Sequence, residues 1–430
     1  MGSYHFIGIK GSGMSALAQV LYDLNHIVQG EDVDSFLFTQ VNLDTRNIPL
    51  YAFGMAPLSP TMTVIASNAF EDTHPSIVTC QQLGIPVIRY HDFLGELLKT
   101  YTSIAVTGSH GKTTTTGMLV HALSADHPTC SLVGDGTGTG HPDAAQFIFE
   151  SCEYKRHFLS YQPDIAIITN IDFDHPDYFA DIDDVRNAFE QMTVLTTKHI
   201  VACGDDPQVR LLPTNTNTLF YGFGSDNTVR ASDLTVENNA TFFNGFFNDT
   251  ELGRFSIPLS GKHSVLNALA TIGVALLLDR DLEIVRKQLA TFSGVQRRFT
   301  EKRWGNNVVI DDYAHHPSEI RATFEAARSK YPGKRVVGIF QPHTFTRLEK
   351  LMDDFADSLK EADDIFLCPI FGSAREASGN ISIDDLRNRI PNAQLVSDNF
   401  ASDLNKYSDS ILIFMGAGDI QKYQELLLQR

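Results

Sequence analysis

The stretch 108–116, "GSHGKTTTT", limits the possible folds of this chain more than any other feature of the sequence. It follows the apolar run "SIAV" and precedes the helix-like "GMLVHALS". A glycine loop between a strand and a helix, ending in Lys-Thr, is typical of phosphate binding, because backbone N–H groups and the lysine face the anion while a threonine hydroxyl can coordinate Mg²⁺. The usual motif has about four residues between its first glycine and Gly-Lys, whereas only Ser109 and His110 separate Gly108 from Gly111. This spacing argues against a GTPase or a common ATPase but is compatible with ATP.

The length and composition indicate a globular protein of several domains. A chain of 430 residues is too long for one core, so two or three domains are expected. Its apolar content is 43% and its charged content 20%, and no apolar run approaches the ~18 residues of a membrane span. The N-terminus lacks the basic start and long apolar stretch of a cleavable signal. We therefore expect a cytoplasmic protein without membrane association.

Charge and cysteine usage exclude further classes. The net charge is −18, from 34 basic and 52 acidic residues, which disfavours nucleic-acid binding. An anionic ligand must then be held by local cations and metal. No feature indicates an obligate protein partner. The cysteines are scattered without a C-x-x-C pair, which argues for free thiols and against a zinc site or a disulfide framework. These cysteines are Cys80, Cys130, Cys152, Cys203 and Cys368.

Strand-like and helix-like stretches alternate along the chain, with glycine-rich turns after several strands. This alternation predicts parallel sheets covered on both faces. The stretch 215–258 is rich in Asn, Thr, Gly and Phe, which indicates a small antiparallel β insertion. The predicted fold is α/β with three domains: a Rossmann-like domain at 1–100, a P-loop ATPase-like parallel sheet with the insertion at 101–295, and a second Rossmann-like domain at 296–430.

A first glycine loop lies near the N-terminus. Gly8, Gly11 and Gly13 follow the apolar "YHFIGI", and Asp32 lies about 20 residues further on, a weak dinucleotide fingerprint. Glycines that serve only a tight turn and close helix packing are the alternative. On this loop alone a nicotinamide-dependent oxidoreductase is possible, but that interpretation leaves Lys112 and its threonines unexplained.

Two further residues are candidate metal ligands. Glu150 ends an apolar, strand-like run, and His175 follows a second run, "DIAIITN". If these strands are parallel neighbours, both side chains reach the sheet edge that carries the phosphate loop. With Thr113 or Thr114 they could complete a Mg²⁺ shell. Alone, each residue is more often structural, and a histidine before proline is usually a turn residue.

The C-terminal half adds a group of polar and aromatic residues. "SGKHSVLNALA" places His263 and Asn267 four residues apart, on one face of a helix start, although ordinary polar residues of a helix start are equally compatible. Basic and aromatic residues at strand ends suit an anionic substrate, while any one of them could be a solvated surface group. They are Arg297, Arg298, Asp311, Asp312, Tyr313, His315, His316, His343 and Arg347.

Taken together, these stretches resemble one family. "GSHGKTT", "TNIDFDHPDYF", "GKHSVLNALA" and "DDYAHHP" occur in this order, as in the Mur ligases of peptidoglycan synthesis, to which folylpolyglutamate synthetases are related. "GIKGSGMSALA", "FESCEYKRHFL", "GVQRRF" and "QPHTFTRL" look most like members that add L-alanine to UDP-N-acetylmuramate. The resemblance covers essentially the whole chain. It implies a ligase that joins L-alanine to the lactyl carboxylate of that sugar through an acyl phosphate, with ATP and Mg²⁺.

The resemblance also implies site residues. Those facing the UDP-substrate would be Gly8, Gly11, Ser12, Gly13, Met14 and Asp32. Those binding ATP would be Gly108, Ser109, His110, Gly111, Lys112, Thr113, Thr114, Asn267, Arg298 and Asp312. Those lining the amino-acid pocket would be Tyr313, His343 and Arg347, and the metal ligands would be Thr113, Glu150 and His175. The catalytic set would be Lys112, Glu150, His175, Arg298 and His315.

The sequence departs from the family at several positions. Ser264 stands where the family commonly has Asn, Thr344 where many alanine-adding members have Arg, and Cys152 where Asp is usual. Several members carry a carboxylated lysine that supports a second metal, but no lysine occurs between Lys155 and Lys198, so none is assigned. Two other interpretations stay open: a recycling ligase that attaches a preformed tripeptide, and a non-catalytic nucleotide sensor.

Overall fold

The fold is described here from a computed structural model, which covers residues 1–213, 217–237, 240–372, 376, 378–397 and 399–428. The described residues form three sheets that follow one another along the chain. In each of them the parallel strands are joined through helices or loops, as the alternating sequence pattern predicts.

The first sheet has the strand order β3-β2-β1-β4-β5, and all of its pairs are parallel. Its strands are β1 Ser3–Ile7, β2 Ile27–Asp32, β3 Leu50–Ala52, β4 Thr63–Ala66 and β5 Val87–Arg89. Its helices are α1 Ser12–Asp23, α2 Gln40–Thr45, α3 Pro75–Gln82 and α4 Tyr90–Leu98.

The second sheet is the largest. Its strands are β6 Thr102–Thr107, β7 Thr129–Leu132, β8 Gly138–Thr139, β9 Gln146–Glu150, β10 Ile165–Ile168, β11 His199–Cys203, β12 Asn217–Gly222, β13 Val229–Glu237, β14 Ala240–Phe247 and β15 Thr250–Ile257. Its helices are α5 Lys112–Leu123, α6 Ile182–Leu195, α7 Pro207–Arg210, α8 Lys262–Leu277 and α9 Leu282–Leu289, with a 3₁₀ segment at Tyr154–Ser160. The strand order is β15-β14-β13-β12-β11-β10-β6-β9-β7-β8.

The predicted antiparallel insertion at 215–258 is confirmed in part. Strands β13, β14 and β15 pair antiparallel, and the rings of Phe243 and Phe255 stack 5.7 Å apart on them. β12, in contrast, pairs parallel with β11 and so belongs to the parallel sheet. The antiparallel strands therefore extend the edge of the central sheet. Residues 214–216 and 238–239 of this stretch lie outside the described residues.

The third sheet has the order β16-β17-β21-β18-β19-β20, with an antiparallel pair between β16 and β17 and parallel pairs elsewhere. Its strands are β16 Thr300–Trp304, β17 Asn307–Asp312, β18 Val336–Phe340, β19 Asp364–Leu367, β20 Gln394–Leu395 and β21 Ile411–Met415. Its helices are α10 Pro317–Lys330, α11 Phe345–Lys350, α12 Met352–Leu359, α13 Ile383–Arg387, α14 Phe400–Asp403 and α15 Gln421–Leu428, with a 3₁₀ turn at Leu404–Lys406.

Alternate residues of the central strands enter two different cores. Ala105 packs with Phe147 and Phe149 on one face of the sheet, whereas Ile104 packs with Ile148 on the other. Since successive side chains of a strand point to opposite faces, the sheet is covered on both. The predicted α/β fold with three sheets is therefore confirmed. No helix among the described residues is long and apolar enough to cross a membrane.

A glycine-rich turn of the second sheet packs against helix α1 of the first. A Cβ on Gly138 would lie 1.9 Å from the carbonyl oxygen of Ala16 in α1, so the two backbones meet without side chains between them. Gln19 Nε2 donates to the carbonyl of Gly136 at 2.8 Å, and Arg46 donates to the carbonyl of Gly138 at 3.1 Å. These contacts fix α1, and the glycine loop before it, against the central sheet.

Candidate active site

The central glycine loop has the backbone that phosphate binding requires. Gly108 and Gly111 adopt φ angles of +134° and +81°, a region that favours glycine. A Cβ on Gly108 would lie 1.9 Å from Thr169 Oγ1, so a larger residue would displace the loop. α5 begins directly at Lys112, and its unpaired N–H groups and positive dipole end face the loop. The arrangement is an anion site.

The segment after β10 holds this loop in shape. Asn170 Oδ1 accepts the backbone N–H of His110 at 2.8 Å, and Asn170 Nδ2 donates to the His110 carbonyl at 3.0 Å. Thr169 Oγ1 donates to the same carbonyl at 2.6 Å. The hydroxyl of Ser109 accepts the N–H of Asp172 at 2.8 Å. The loop is therefore organised before any ligand arrives.

Lys112 is held at this loop by a residue that the sequence did not single out. Its Nζ donates to the carbonyls of Gly108 and Ser109 and to Glu153 Oε2, the last at 2.9 Å. Burial alone would lower the pKa of Lys112, but the Glu153 carboxylate outweighs burial and raises that pKa above its usual value. The lysine stays charged beside the loop. Glu153 is the second acidic residue of "ESCE", three residues after Glu150. This spacing is the sequence feature that could have identified Glu153 as a residue of the site.

Glu150 lies beside the start of α5. Its Oε2 accepts the N–H of Gly134 at 3.0 Å. Burial raises the pKa of Glu150, while the charge of Lys112 and a hydrogen bond from Thr113 oppose the rise. A half-buried carboxylate that faces a threonine hydroxyl next to a phosphate loop supplies the oxygen ligands that Mg²⁺ prefers. These two residues therefore fit the ion.

The strands that lead to Glu150 and His175 end at the sheet edge that carries the phosphate loop, as predicted, but they are not adjacent strands. β6 lies between β9 and β10 in the sheet, so the two residues flank the phosphate loop instead of following adjacent strands. Glu153 is the glutamate in contact with His175, with 3.8 Å between Glu153 Oε1 and His175 Nε2. Burial lowers the pKa of His175, against the nearby charges of Asp174 and Glu153, and leaves a neutral imidazole that can bind a cation.

The N-terminal loop has the close packing of a glycine turn. Gly8 adopts a φ of +85°, and a Cβ there would lie 2.5 Å from the ring of Phe70. A Cβ on Gly13 would lie 2.8 Å from the hydroxyl of Tyr90. Gly11 and Gly13 are exposed and leave the start of α1 open to a ligand, which suits a pyrophosphate.

The other residues of this loop have mainly structural contacts. Asp32 accepts the N–H of Lys10 and the N–H of Val33, each at 2.7 Å, so its carboxylate fixes the turn. Met14 is buried in the core. Ser12 is the first residue of α1.

A cavity of about 760 Å³ separates the central sheet from the C-terminal sheet, a volume in the range of small-ligand sites. Six of the predicted ATP-binding residues line it: His110, Gly111, Thr114, Asn267, Arg298 and Asp312. Residues that the sequence did not predict also line it, among them Tyr221, Leu259, Phe299, Glu319 and Lys330. Asn267 reaches the loop itself, because a Cβ on Gly111 would lie 3.3 Å from its Oδ1.

Arg298 and Asp312 have different roles in the wall of this cavity. Arg298 lies 3.5 Å from Glu319 and 5.1 Å from the ring centroid of Tyr313. Asp312 accepts the N–H groups of Phe299 and Ala314, at 3.0 and 2.8 Å. Its carboxylate therefore holds together the residue before β16 and the turn after β17. Burial raises the pKa of Asp312 to about 6, although the charge of Arg298 opposes it.

His110 connects the phosphate loop to the C-terminal domain. Its Nε2 lies 3.1 Å from Asp172 Oδ2, and its Nδ1 lies 3.5 Å from Glu319 Oε1. Burial alone would lower the pKa of His110, but hydrogen bonds to the two carboxylates and their charges raise it to about 10. Ser318 Oγ donates to Asp172 Oδ2 at 2.6 Å. The loop is thus held from both domains.

The residues predicted for the amino acid lie together, and Arg347 among them is already paired. Arg347 Nε donates to Asp174 Oδ1 at 2.8 Å, and both side chains are buried, so this guanidinium already has an anionic partner. The ring of His343 stacks on Phe371 at 5.8 Å and lies 6.2 Å from the ring of His315.

His315 and Tyr313 complete this group. His315 Nδ1 lies 3.1 Å from Glu319 Oε2, and the Tyr313 ring lies 4.8 Å below the guanidinium of Arg297. The structure therefore groups the predicted residues that follow β17 and β18, and Glu319, which lines the cavity, lies between His315 of this group and His110 of the phosphate loop.

Comparison with known families assigns nearly the whole chain to one of them. Residues 3–102 match the "Mur ligase family, catalytic domain", residues 106–275 the "Mur ligase middle domain", and residues 297–419 the "Mur ligase, glutamate ligase domain". The chain therefore belongs to the Mur ligase family. It is an ATP-dependent, amide-bond-forming ligase of peptidoglycan precursor synthesis. The oxidoreductase interpretation of the first glycine loop is wrong.

Solved structures agree with this assignment. UDP-N-acetylmuramate-alanine ligase MurC from Thermotoga maritima is 26% identical, covers 100% of this chain and 99% of its own, and superposes with a TM-score of 0.83. The murein peptide ligase of Psychrobacter arcticus 273-4 is 23% identical, with 100% and 98% coverage and a TM-score of 0.73. MurF ligase from Thermotoga maritima, in complex with ADP, is 17% identical, with 94% and 94% coverage and a TM-score of 0.65. The last two show a shared fold.

Proposed function

We propose that this ligase joins L-alanine to the lactyl carboxylate of UDP-N-acetylmuramate, with cleavage of ATP to ADP and phosphate. The observation that carries the proposal is the phosphate loop with its charged Lys112, which opens into a cavity walled on the far side by the C-terminal domain. The full-length similarity to an alanine ligase supports the choice of substrates. In this proposal residues 1–100 bind the UDP-sugar, residues 101–295 bind ATP, and residues 296–430 bind the amino acid and close the site.

ATP would lie with its triphosphate on the loop and its nucleoside in the cavity. Lys112, which now donates to the Glu153 carboxylate, would turn toward the β- and γ-phosphate oxygens and neutralise their charge. Asn267 and Arg298 would surround the nucleoside and phosphates, with Asp312 shaping the wall behind them. Mg²⁺ held by Thr113 and Glu150, with His175 nearby, would supply further charge neutralisation when bound.

The UDP-sugar would bind at the first sheet. The exposed start of α1 offers N–H groups to the pyrophosphate, and Asp32 keeps the loop in the required shape through Lys10 and Val33. Because the glycine turn at Gly136 and Gly138 fixes α1 to the central sheet, the sugar end of this substrate would point toward the phosphate loop.

The chemistry explains why cations surround this point. A carboxylate does not react with an amine in water, because its charge and resonance oppose attack. Transfer of the γ-phosphoryl group gives an acyl phosphate and ADP; the neutral amine then attacks, a tetrahedral oxyanion forms, and phosphate leaves. Lys112 and Arg298 are two cations that can stabilise this charge, and one such contact is typically worth about 3 kcal/mol.

The amino acid would bind beside Tyr313, His315 and His343. The ring of His343 stacks on Phe371 and lies close to the ring of His315. These rings narrow the space for the amino acid, which favours a small amine as substrate. Arg347 would act through its pairing with Asp174, which ties the C-terminal domain over the loop. Closure of this kind keeps water from the acyl phosphate.

The test is phosphate release from ATP in the presence of UDP-N-acetylmuramate and one amine at a time. We expect release that depends on both the UDP-sugar and L-alanine. A clear preference for a preformed tripeptide would instead assign the recycling reaction. ATP binding without release in any mixture would support the nucleotide sensor.

A further inference from the structure

Three metal-ligating side chains meet beside the phosphate loop, and one of them, Cys152, has no role in the reaction described above. The ligand atoms of Cys152, Glu153 and His175 all lie within 4.8 Å of one another. Cys152 and Glu153 follow β9, whereas His175 follows β10, so folding brings together residues from both sides of β6. The dispersed cysteines gave no sign of this cluster in the sequence.

The carboxylate of Glu153 has one oxygen in use and one without a partner. Oε2 accepts from Lys112 at 2.9 Å, but Oε1 has no hydrogen bond from any described residue. The Glu153 side chain is only 1% exposed, so water does not readily replace the missing partner. A buried acceptor without a partner is costly. Oε1 points toward His175 Nε2, 3.8 Å away, and a cation between them would satisfy both atoms.

We propose that Cys152, Glu153 and His175 form a binding site for a thiophilic divalent cation such as Zn²⁺, and that its occupation blocks ligation. A thiolate, an imidazole and a carboxylate are the ligands of zinc, whereas Mg²⁺ takes oxygen ligands. Ligand bonds of about 2.0–2.3 Å around a tetrahedral ion separate neighbouring ligand atoms by roughly 3.3–3.8 Å. An oxygen and a nitrogen, with bonds of about 2.0–2.2 Å, lie roughly 3.3–3.5 Å apart, so the observed 3.8 Å between Glu153 Oε1 and His175 Nε2 requires only a small approach of the two side chains.

Cys152 makes the site selective for soft cations. The family resemblance predicts an aspartate at this position, which would offer a hard oxygen. Burial, with the negative charge of Glu153, raises the pKa of the Cys152 thiol to about 12, so the thiol is protonated before binding. Coordination forms a sulfur–metal bond and releases that proton to solvent.

The cluster lies where a bound cation would interfere with ligation. Glu153 also holds Lys112, so a divalent cation on Oε1 places positive charge beside the lysine that serves the phosphates. The same cation occupies His175, which the proposed reaction uses near Mg²⁺. Inhibition therefore rests on the proposed function, whereas metal binding itself does not.

A second candidate cluster, His110, Asp172 and His316, lacks the unpaired atom. Asp172 Oδ2 accepts from Ser318 and lies against His110, while His316 Nε2 lies 3.2 Å from the Phe173 carbonyl. Its ligand atoms among the described residues are satisfied by the protein, so it carries no comparable inference.

Binding is tested with Co²⁺ as a spectroscopic probe on the nucleotide-free, full-length protein. We expect a thiolate-to-cobalt charge-transfer absorption that saturates at one equivalent and disappears in Cys152→Ser. Cys203→Ser, which removes a buried cysteine elsewhere in the central sheet, is the matched control and should keep the band. Absence of the band from the wild-type protein, or its persistence in Cys152→Ser, would overturn the site.

Affinity and inhibition give a second measurement. In competition with a chromophoric chelator, Cys152→Ser and Cys152→Asp should each bind Zn²⁺ at least about 10-fold more weakly than the wild type and Cys203→Ser. At a Zn²⁺ concentration that inhibits alanine-dependent phosphate release by the wild type, the Cys152→Ser variant should stay active. Equal inhibition of both proteins would contradict the proposal, whereas loss of alanine dependence with an intact cobalt band would contradict only the proposed function.

Discussion

Arg347 Nε lies 2.8 Å from Asp174 Oδ1, and this ion pair joins the C-terminal domain to the segment that follows β10 in the central domain. The two side chains are only 6% and 5% exposed. Asp174 also accepts the backbone N–H of His175 at 2.6 Å. The contact between the domains and the position of His175 therefore depend on the same carboxylate.

Asp174→Asn tests this connection. Breaking a buried pair typically costs about 3–5 kcal/mol, and we expect at least a 10-fold fall in ATP turnover, together with faster proteolysis between the central and C-terminal domains. Asp353→Asn, which removes an exposed partner of Arg389, is the control and should change stability by less than about 1 kcal/mol. Turnover close to the wild-type value in Asp174→Asn would show that the pair does not hold the domains.

The pH dependence of stability tests the position of His110. Its pKa of about 10 in the folded protein lies above the value of about 6.5 expected in the unfolded chain. A raised pKa stabilises the fold fully below about pH 6.5, and this stabilisation is lost as the pH rises through about 10. The difference in melting temperature between the wild type and His110→Gln should thus be largest near pH 6 and shrink toward pH 10. His141→Gln, at an exposed histidine, is the control; a His110→Gln difference that grows with pH would contradict the ion pairs.

Lys112→Ala tests the phosphate loop. The lysine is the charged group that the loop carbonyls and Glu153 hold in place, and its loss should lower ligation by at least about 100-fold, the usual effect of one pre-positioned electrostatic contact. Calorimetric binding of the UDP-sugar should stay within a factor of about two, because that site lies on the first sheet. Lys99→Ala, at an exposed lysine, controls for loss of charge. Unchanged turnover in Lys112→Ala would refute the loop assignment.

Magnesium titration tests two of the three predicted metal ligands separately. Glu150 lies with Thr113 at the start of α5, whereas His175 lies across the loop beside Glu153. We expect Glu150→Gln to raise the Mg²⁺ concentration for half-maximal turnover by about 10- to 100-fold, the scale of a perturbed metal site, and His175→Ala to raise it by less. An unaltered titration in either variant would remove that residue from the site.

Gly138→Ala tests how the first sheet is attached. A Cβ at this position would lie 1.9 Å from the Ala16 carbonyl, and neither backbone can move without disturbing α1. Overpacking usually costs about 1–3 kcal/mol, so the melting temperature should fall. Gly11→Ala is the matched control, since its Cβ would lie 3.6 Å from the nearest atom, and it should change the melting temperature little. Equal effects of the two variants would contradict the close contact.

The local elements of this protein were accessible from its sequence. Strand, glycine loop and helix at 102–123 follow the predicted order, because turn residues and apolar runs act over a few positions. The antiparallel insertion that β13, β14 and β15 form was likewise predicted, because the stretch 215–258 is rich in Asn, Thr, Gly and Phe. Fold class follows from such local signals.

Relationships between distant residues were not accessible. Apolar periodicity identifies β6, β9 and β10 but not their order in the sheet, so the sequence could not show that β6 separates the strands that lead to Glu150 and His175. Arg347 and Asp174 are 173 positions apart, and no spacing rule connects them. Asp32 resembles a ligand-binding acid in the sequence, but the backbone N–H groups of Lys10, in the first glycine loop, and of Val33 each donate to one of its oxygens.

The most direct test of the central claim is a crystal structure with Mg²⁺ and a non-hydrolysable ATP analogue. The loop at 108–114 should hold the triphosphate, with a γ-phosphate oxygen within about 3.2 Å of Lys112 Nζ and the adenine in the cavity near Asn267. A triphosphate bound elsewhere, for example on the loop at 8–13, would contradict the assignment of the central domain as the site of ATP chemistry.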